Sequence, residues 1–264
     1  MKPLFSIITP MYKGADLVAD TIESVILQSV KNWEMIIVDD CSPDNGAGAA
    51  VVKKYIANDN RIKLIQLSEN RGASGARNVA IRNAQGQYFA FLDSDDIWDD
   101  DYLKLMLEHI KKEQNDNAAI FFSGYRRMDD KCLHEILQPY SYTGIVNYKK
   151  LLFHCPIFPS AAIIDTTKLR TMMYFREELR NLRDDYAFWL DIAKQGFVAV
   201  GYSDILVKYR MRNDSLTASK RKMIKPQWKI YRKILGMNII KSFFYLCSWA
   251  LNGIRKYVLV SGKR

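Results

Sequence analysis

The sequence predicts an α/β protein, a mostly parallel sheet with helices on both faces. Three observations carry that prediction. Apolar runs of strand length alternate with segments of helical periodicity through the first half of the chain, the pattern left by strands joined through covering helices. With 264 residues, 48% of them hydrophobic, the chain can bury one large core, and it fits one large domain, or one domain with an appendage, better than two full domains. Finally, the apolar runs end in polar or charged residues, as they do where a chain leaves such a sheet at a ligand site.

The elements follow in order. Strand FSIIT (5–9) leads to a helix whose apolar stripe is Leu17, Val18, Ile22, Val25 and Ile26, and MIIVD (35–39) is the next strand. A helix around 48–57 precedes strand IKLIQL (62–67), a short helix follows Gly75, and YFAFLD (88–93) is a further strand. Asp99, Asp100 and Asp101 stand before a helical pattern of Leu103, Met106, Leu107 and Ile110, where they can cap its first turn and complement its dipole. Another amphipathic helix begins at Asp184-Asp185-Tyr186.

In such sheets the ligand sits beyond the carboxyl ends of the strands. Those ends read Thr9-Pro10-Met11-Tyr12, Asp39-Asp40-Cys41-Ser42, Asn70-Arg71-Gly72 and Asp93-Ser94-Asp95-Asp96. Together they describe a pocket with an aromatic wall, several carboxylates and a few cations, which suits a nucleotide bound with a metal. The two-residue spacing of Asp93 and Asp95 can place one carboxylate on a hard divalent cation, Mn²⁺ or Mg²⁺, and the other on a sugar hydroxyl or water. An acidic turn entering a helix gives the same pattern. Asp39-Asp40 reads either as an Asx turn or as an acceptor for a base or ribose. Asn70 to Asn78 is a glycine-containing loop entering a helix, able to present N–H groups and a cation to phosphate or simply to use Ser74 as a cap. Asn45-Gly46-Ala47-Gly48 follows the second strand and lacks the third glycine, which excludes a dinucleotide fingerprint. Acidic residues at a helix start, such as Asp184 and Asp185, commonly serve its dipole. His109, His134 and His154 have no ligand spacing, and Cys41, Cys132, Cys155 and Cys247 are scattered, so they read as reduced packing residues.

The formal net charge of +10 is unevenly placed. Residues 1–105 hold 11 Lys/Arg against 15 Asp/Glu, whereas residues 206–264 hold 15 against a single Asp. The basic tail is interleaved with apolar runs, which suits an anionic membrane surface better than nucleic acid. The run from Ile234 to Leu251 is interrupted by Asn238 and Lys241, so one or two interfacial helices within 222–258 are expected in place of a span. A helical hairpin packed on the sheet domain, or on a second subunit in a homodimer, is the alternative. Met1-Lys2-Pro3 runs directly into FSIITP, so no secretory leader is expected.

With these pieces in order, FSIITPMYKGADLVADTIESVILQS, MIIVDDCSPDN, LSENRGASGARNVAI, GQYFAFLDSDDIW, LRDDYAFWLDIAKQG and YRMRNDSLTAS resemble the family 2 inverting glycosyltransferases of bacterial surface-polysaccharide synthesis. The resemblance covers residues 4 to about 219 and implies the Rossmann-like GT-A fold for a catalytic domain of 1–219, followed by a basic amphipathic tail of 220–264. It implies a donor site of Thr9, Pro10, Tyr12, Asp39, Arg77, Asp93, Ser94 and Arg212, with Thr9, Tyr12 and Asp39 on the nucleoside and Arg77 near the diphosphate. Asp93 and Asp95 form its metal-binding D-x-D. The pair that commonly reads Glu-Asp is Asp184-Asp185 here, and its second member, Asp185, holds the position of the general base. Lys13 stands where Asn is common, and Arg212 replaces the family's His, leaving a cation able to meet phosphate.

The expected function is therefore metal-dependent transfer of a sugar, with inversion, from a nucleotide donor (a UDP-sugar) to a hydroxyl of a polysaccharide or lipid-linked glycan. The expected place is the inner face of the cytoplasmic membrane, with the protein held peripherally. A sugar-nucleotide pyrophosphorylase would need a Gly-rich loop with Arg and Lys after the first strand, which TPMYKGADL does not supply. A basic nucleic-acid-binding or non-catalytic protein on the same scaffold is the remaining rival. The aromatic and aliphatic residues among the tail's Lys and Arg argue against it.

Overall fold

The computed structural model describes residues 2–179, 182–211 and 223–258. Its centre is a ten-stranded sheet whose main path runs β3-β2-β1-β4-β9-β6-β10-β5. In chain order the strands are β1 (Phe5–Met11), β2 (Trp33–Asp39), β3 (Ile62–Gln66), β4 (Tyr88–Phe91), β5 (Ile97–Trp98), β6 (Ala118–Met128), β7 (Glu135–Tyr140), β8 (Gly144–Val146), β9 (Ala162–Asp165) and β10 (Val198–Arg210). The helices are α1 (Val18–Ile26), α2 (Ala47–Ile56), α3 (Gly72–Asn83), α4 (Tyr102–Lys112), α5 (Tyr148–Phe153), α6 (Asp184–Lys194), α7 (Ile224–Lys229) and α8 (Ile239–Val258).

The sheet has two halves. β1 to β4 are parallel neighbours, with Ile8 opposite both Ile36 and Phe91. The second half is mixed: β9 runs antiparallel to β4 and β6, β6 and β10 are parallel, and β5, β7 and β8 are antiparallel additions. β1, β2 and β4 are buried along their whole length. Their apolar residues alternate between two cores, as the pleat requires. One face packs on Val18, Ile22 and Val25 of α1 and on Leu103, Met106 and Ile110 of α4, the i, i+3, i+4 stripes visible in the sequence. The other packs on Ala76, Ala80 and Ile81 of α3 and on the aromatic run of α6.

Three local expectations change. The helix expected after Gly75 starts at Gly72 and runs 12 residues, so Ser74 lies inside it, away from the cap. Gly75 is tolerated there because the Arg71 side chain lies over it: a Cβ on Gly75 would stand 2.4 Å from Arg71 Cβ. Asp99, Asp100 and Asp101 make no side-chain cap for α4; Asp99 pairs with Arg126, and Asp101 accepts a hydrogen bond of 2.7 Å from Ser29 Oγ. Finally, Cys41 and Cys247 are exposed, so only Cys132 and Cys155 contribute to packing.

The tail is divided. Ile230 and Tyr231, in a five-residue π-helical stretch after α7, are fully buried in the core shared by α3 and α6, and Tyr231 donates to Leu152 O at 2.9 Å. α8 lays Tyr245 and Leu246 against that core and leaves Ile240 and Phe243 81% and 62% exposed. The helices after position 219 therefore share the core of the sheet domain, and the 219/220 boundary itself lies outside the described residues. No helix among the described residues is long and apolar enough to cross a membrane.

Ile230→Ala should lower the unfolding free energy of the full chain by about 2–5 kcal/mol in urea titration, the usual cost of emptying a closed aliphatic site. A change within ~0.5 kcal/mol would show that the tail docks without contributing to the fold.

Candidate active site

The site lies where β1, β2 and β4 release the chain. Thr9 and Pro10 occupy the end of β1, both buried, and Thr9 Oγ1 is buried without a hydrogen-bond partner among the described residues. Tyr12 follows, 46% exposed, with Lys13 Nζ 5.5 Å from its ring centre. Lys13 and Cys41 both take left-handed backbone angles, φ 54° and 55°, and Lys13 N donates to Ser42 Oγ at 2.9 Å, so the first two loops lean on each other. Asp39 is buried and accepts from Ser42 N at 3.2 Å, an Asx-type turn. Asp40 accepts from Arg71 N at 2.7 Å; burial raises its pKa, while the Arg71 and Gly72 amides oppose the shift.

The Asp93–Asp96 turn begins two residues past β4. Asp93, Ser94 and Asp95 are half-buried, and Asp96 is turned inward, 1% exposed. Asp96 accepts from Ser160 Oγ and, at 3.1 Å, from Arg210 N; burial pushes its pKa well up, and Asp95 and Asp93 add to the shift. Ser160 Oγ also receives Asp93 N at 3.1 Å. Arg210, 4% exposed, donates to Asp95 O (2.9 Å), Asp130 O (2.7 Å) and Asp20 Oδ2 (2.7 Å). Asp96, Ser160 and Arg210 thus hold the turn from beneath. The sequence reading missed them as site-builders. Arg210 lies in the quoted Tyr209-Arg210 motif, whereas FPSAA around Ser160 carries no signal.

On the other side of Arg77, α6 starts at Asp184. Arg77 of α3, 5% exposed, joins the two sides: Nη2 lies 2.6 Å from Asp93 Oδ1 and Nη1 3.1 Å from Asp184 Oδ2. Burial opposes its charge, yet the two carboxylates hold its pKa above the usual guanidinium value. Asp184 also accepts from Ser74 Oγ at 3.0 Å. So Asp184 is committed to the bridge, whereas Asp185 is only half-buried. Desolvation raises the Asp185 pKa, with Asp184 adding to the shift and Arg183 and Arg77 opposing it. Arg77 accordingly lies beneath the carboxylates, with each Nη on one of them and Nε buried without a partner among the described residues. Arg212 lies outside the described residues.

A divalent cation fits this turn in a limited way. Among the described residues no three His, Cys, Asp or Glu side chains converge on a common point, and Asp93 already gives one oxygen to Arg77. The carboxylates present suit an ion that takes most of its ligands from water and substrate phosphates.

The fold is that of the GT-A glycosyltransferases. It superposes on Staphylococcus aureus TarS 1–349 in complex with UDP with a TM-score of 0.68 at 22% identity, covering 99% of this chain and 74% of that one. It also superposes on the mannosyltransferase PcManGT of Pyrobaculum calidifontis, in complex with GDP-Man and Mn²⁺, with a TM-score of 0.67 at 17% identity, covering 100% and 77%. The sequence supplies the family: residues 6–166 match the profile of glycosyl transferase family 2, and the chain belongs to that family. It is 37% identical to the putative teichuronic acid biosynthesis glycosyltransferase TuaG of Bacillus subtilis, across 97% of this chain and 98% of the relative. It is 31% identical to WfgD of Escherichia coli, a UDP-Glc:alpha-D-GlcNAc-diphosphoundecaprenol beta-1,3-glucosyltransferase, across 96% and 95%.

Proposed function

We propose that this glycosyltransferase transfers a sugar with inversion from a UDP-sugar to a hydroxyl of a lipid-linked or surface glycan. The carrying observation is the Arg77 bridge, which engages Asp184 and leaves Asp185 as the carboxylate of the pair outside the bridge. Support for the substrate classes comes from WfgD, whose donor is UDP-Glc and whose acceptor is a diphosphoundecaprenol-linked sugar, and from the UDP complex of TarS.

Inversion is one in-line displacement at the anomeric carbon. The acceptor oxygen bonds to that carbon as the bond to the UDP oxygen breaks, and the acceptor proton passes to Asp185. Thr9, Pro10, Tyr12 and Asp39 take the nucleoside: Thr9 Oγ1 is a buried hydroxyl without a partner among the described residues, and such groups require one. Ser94, in the turn after β4, completes the donor side. Asp95, with the second oxygen of Asp93, would hold Mn²⁺ or Mg²⁺, whose chemistry when bound is to neutralise the leaving diphosphate.

We also propose that α8 seats the protein on the anionic inner face of the cytoplasmic membrane. Ile239, Ile240, Phe243, Phe244 and Leu251 are each more than half exposed, and Lys241 stands among them. An apolar face with basic residues at its edge is the composition of an interfacial helix.

Asp185→Asn should cut turnover by ~10² to 10⁴ with donor affinity near wild type, the pattern of a group used in the transition state. Asp185 must be ionised to act, so turnover should fall as pH drops through its raised pKa, and the acid limb should stand above the usual carboxylate value of ~4. Asp184→Asn should mainly reduce stability, by ~1.5–3 kcal/mol, through the weakened bridge. Collapse of turnover in Asp184→Asn with a mild Asp185→Asn would move the base by one residue.

Asp95→Ala should abolish UDP release in a panel of UDP-sugars assayed with and without Mn²⁺, while circular dichroism stays unchanged. Full activity in chelator would remove the metal from the mechanism. Sedimentation with vesicles containing phosphatidylglycerol should weaken in high salt and in Phe243→Asp; unchanged binding of both would refute the membrane face.

A further inference from the structure

Arg183 immediately precedes the two carboxylates at the start of α6, and its backbone is left-handed, φ 64° and ψ 24°. A residue with a Cβ stays in that region only where its surroundings hold it. Two of the groups around its side chain come from the tail, and the third is its near neighbour Tyr186. Nε donates to Oε1 of Gln227, a fully buried residue of α7, at 2.9 Å. The guanidinium carbon lies 5.6 Å from the ring centre of Trp249 on α8 and 4.6 Å from that of Tyr186, within cation–π range of both. The Arg183 carbonyl accepts Ala187 N at 3.0 Å and so starts the helix that carries Asp185. Tyr186 is anchored separately, through its hydroxyl to Leu151 O at 3.0 Å, on α5, which packs against α8.

We infer that Arg183 is a positioning residue for the transfer reaction and that Gln227 and Trp249, by clamping it, make the C-terminal helices part of the catalytic machinery as well as a surface for docking. The inference rests on Asp185 being the base. The clamp sets the first turn of α6, and with it the direction of the Asp185 carboxylate. Arg183 also lowers the pKa of that carboxylate against the desolvation that raises it, so a displaced Arg183 leaves Asp185 harder to ionise. The face of α8 that carries Trp249 is distinct from the exposed one that carries Ile240 and Phe243, so the two duties of the helix can be separated by mutation.

The test uses the full-length protein without vesicles, so that membrane attachment does not enter. Trp249→Ala, Trp249→Phe and Asp185→Asn are compared for hydrolysis of the UDP-sugar that the wild-type protein turns over fastest, and for amide hydrogen exchange. In Trp249→Ala, exchange at Tyr186, Ala187 and Phe188 should quicken about tenfold while β1 is unchanged, as expected of a local opening. Its kcat should fall by roughly 10- to 100-fold, the scale of a misplaced catalytic group, with KM for the donor held. Trp249→Phe keeps an aromatic face under Arg183 and should restore both. Wild-type exchange and kcat in Trp249→Ala would overturn the inference, as would a Trp249→Phe protein as impaired as Trp249→Ala. If Asp185→Asn retains full turnover, the base has been misassigned and the catalytic half of the inference falls with it. The exchange data then still decide whether Trp249 holds Arg183.

Discussion

The site depends on one buried cation. Arg77 stands between Asp93, just past the parallel half of the sheet, and Asp184, at the start of α6. A buried guanidinium is costly unless its charge is matched, and arginine suits the place because it remains charged where a lysine would surrender its proton. Two carboxylates and one cation leave the trio with one negative charge. Removing either carboxylate would leave Arg77 less well compensated, and removing Arg77 would set two partly buried carboxylates in mutual repulsion.

Around that bridge the loops are tied by contacts over long sequence distances. Glu177 accepts both Arg71 Nη2, at 2.8 Å, and Asn78 Nδ2, at 3.0 Å, and so fastens the segment before α6 to the start of α3. Arg71 in turn donates its amide to Asp40. Arg71, Gly75, Arg77 and Asn78 belong to one sequence motif, yet each has a separate duty: two cations for three carboxylate partners, a glycine beneath the Arg71 side chain, and an amide that holds the chain at Phe175. The segment before α6 is thereby carried by α3 and the loop before it.

The tail shows how burial apportions one apolar segment. Ile230 and Tyr231 are drawn into the core beside α5 and α6, while Ile240 and Phe243, a few residues later, remain in solvent. A helix between a protein core and an open surface has two faces with different tasks. Its inward face reaches Arg183 through Trp249.

Local pattern sufficed for the parallel half of the sheet, because strands buried on both faces and helices buried on one leave period and length in the residues themselves. It also sufficed for the gathering of the loops, since in a parallel sheet every strand end meets the same edge and the residues after β1, β2 and β4 must come together there. The mixed half was not legible: β9 and β10 find partners through pairings more than 40 residues apart in sequence, and no local period encodes those. Nor was the pairing of Asp184, which is equal to Asp185 in sequence, with Arg77 and Ser74. Asp96, Ser160 and Arg210 form one support from residues 64 and 114 positions apart. Local chemistry determined which residue types border the site. Only the closed fold decided which carboxylate meets a buried cation and which does not, because burial and pairing are properties of neighbours brought together across the chain.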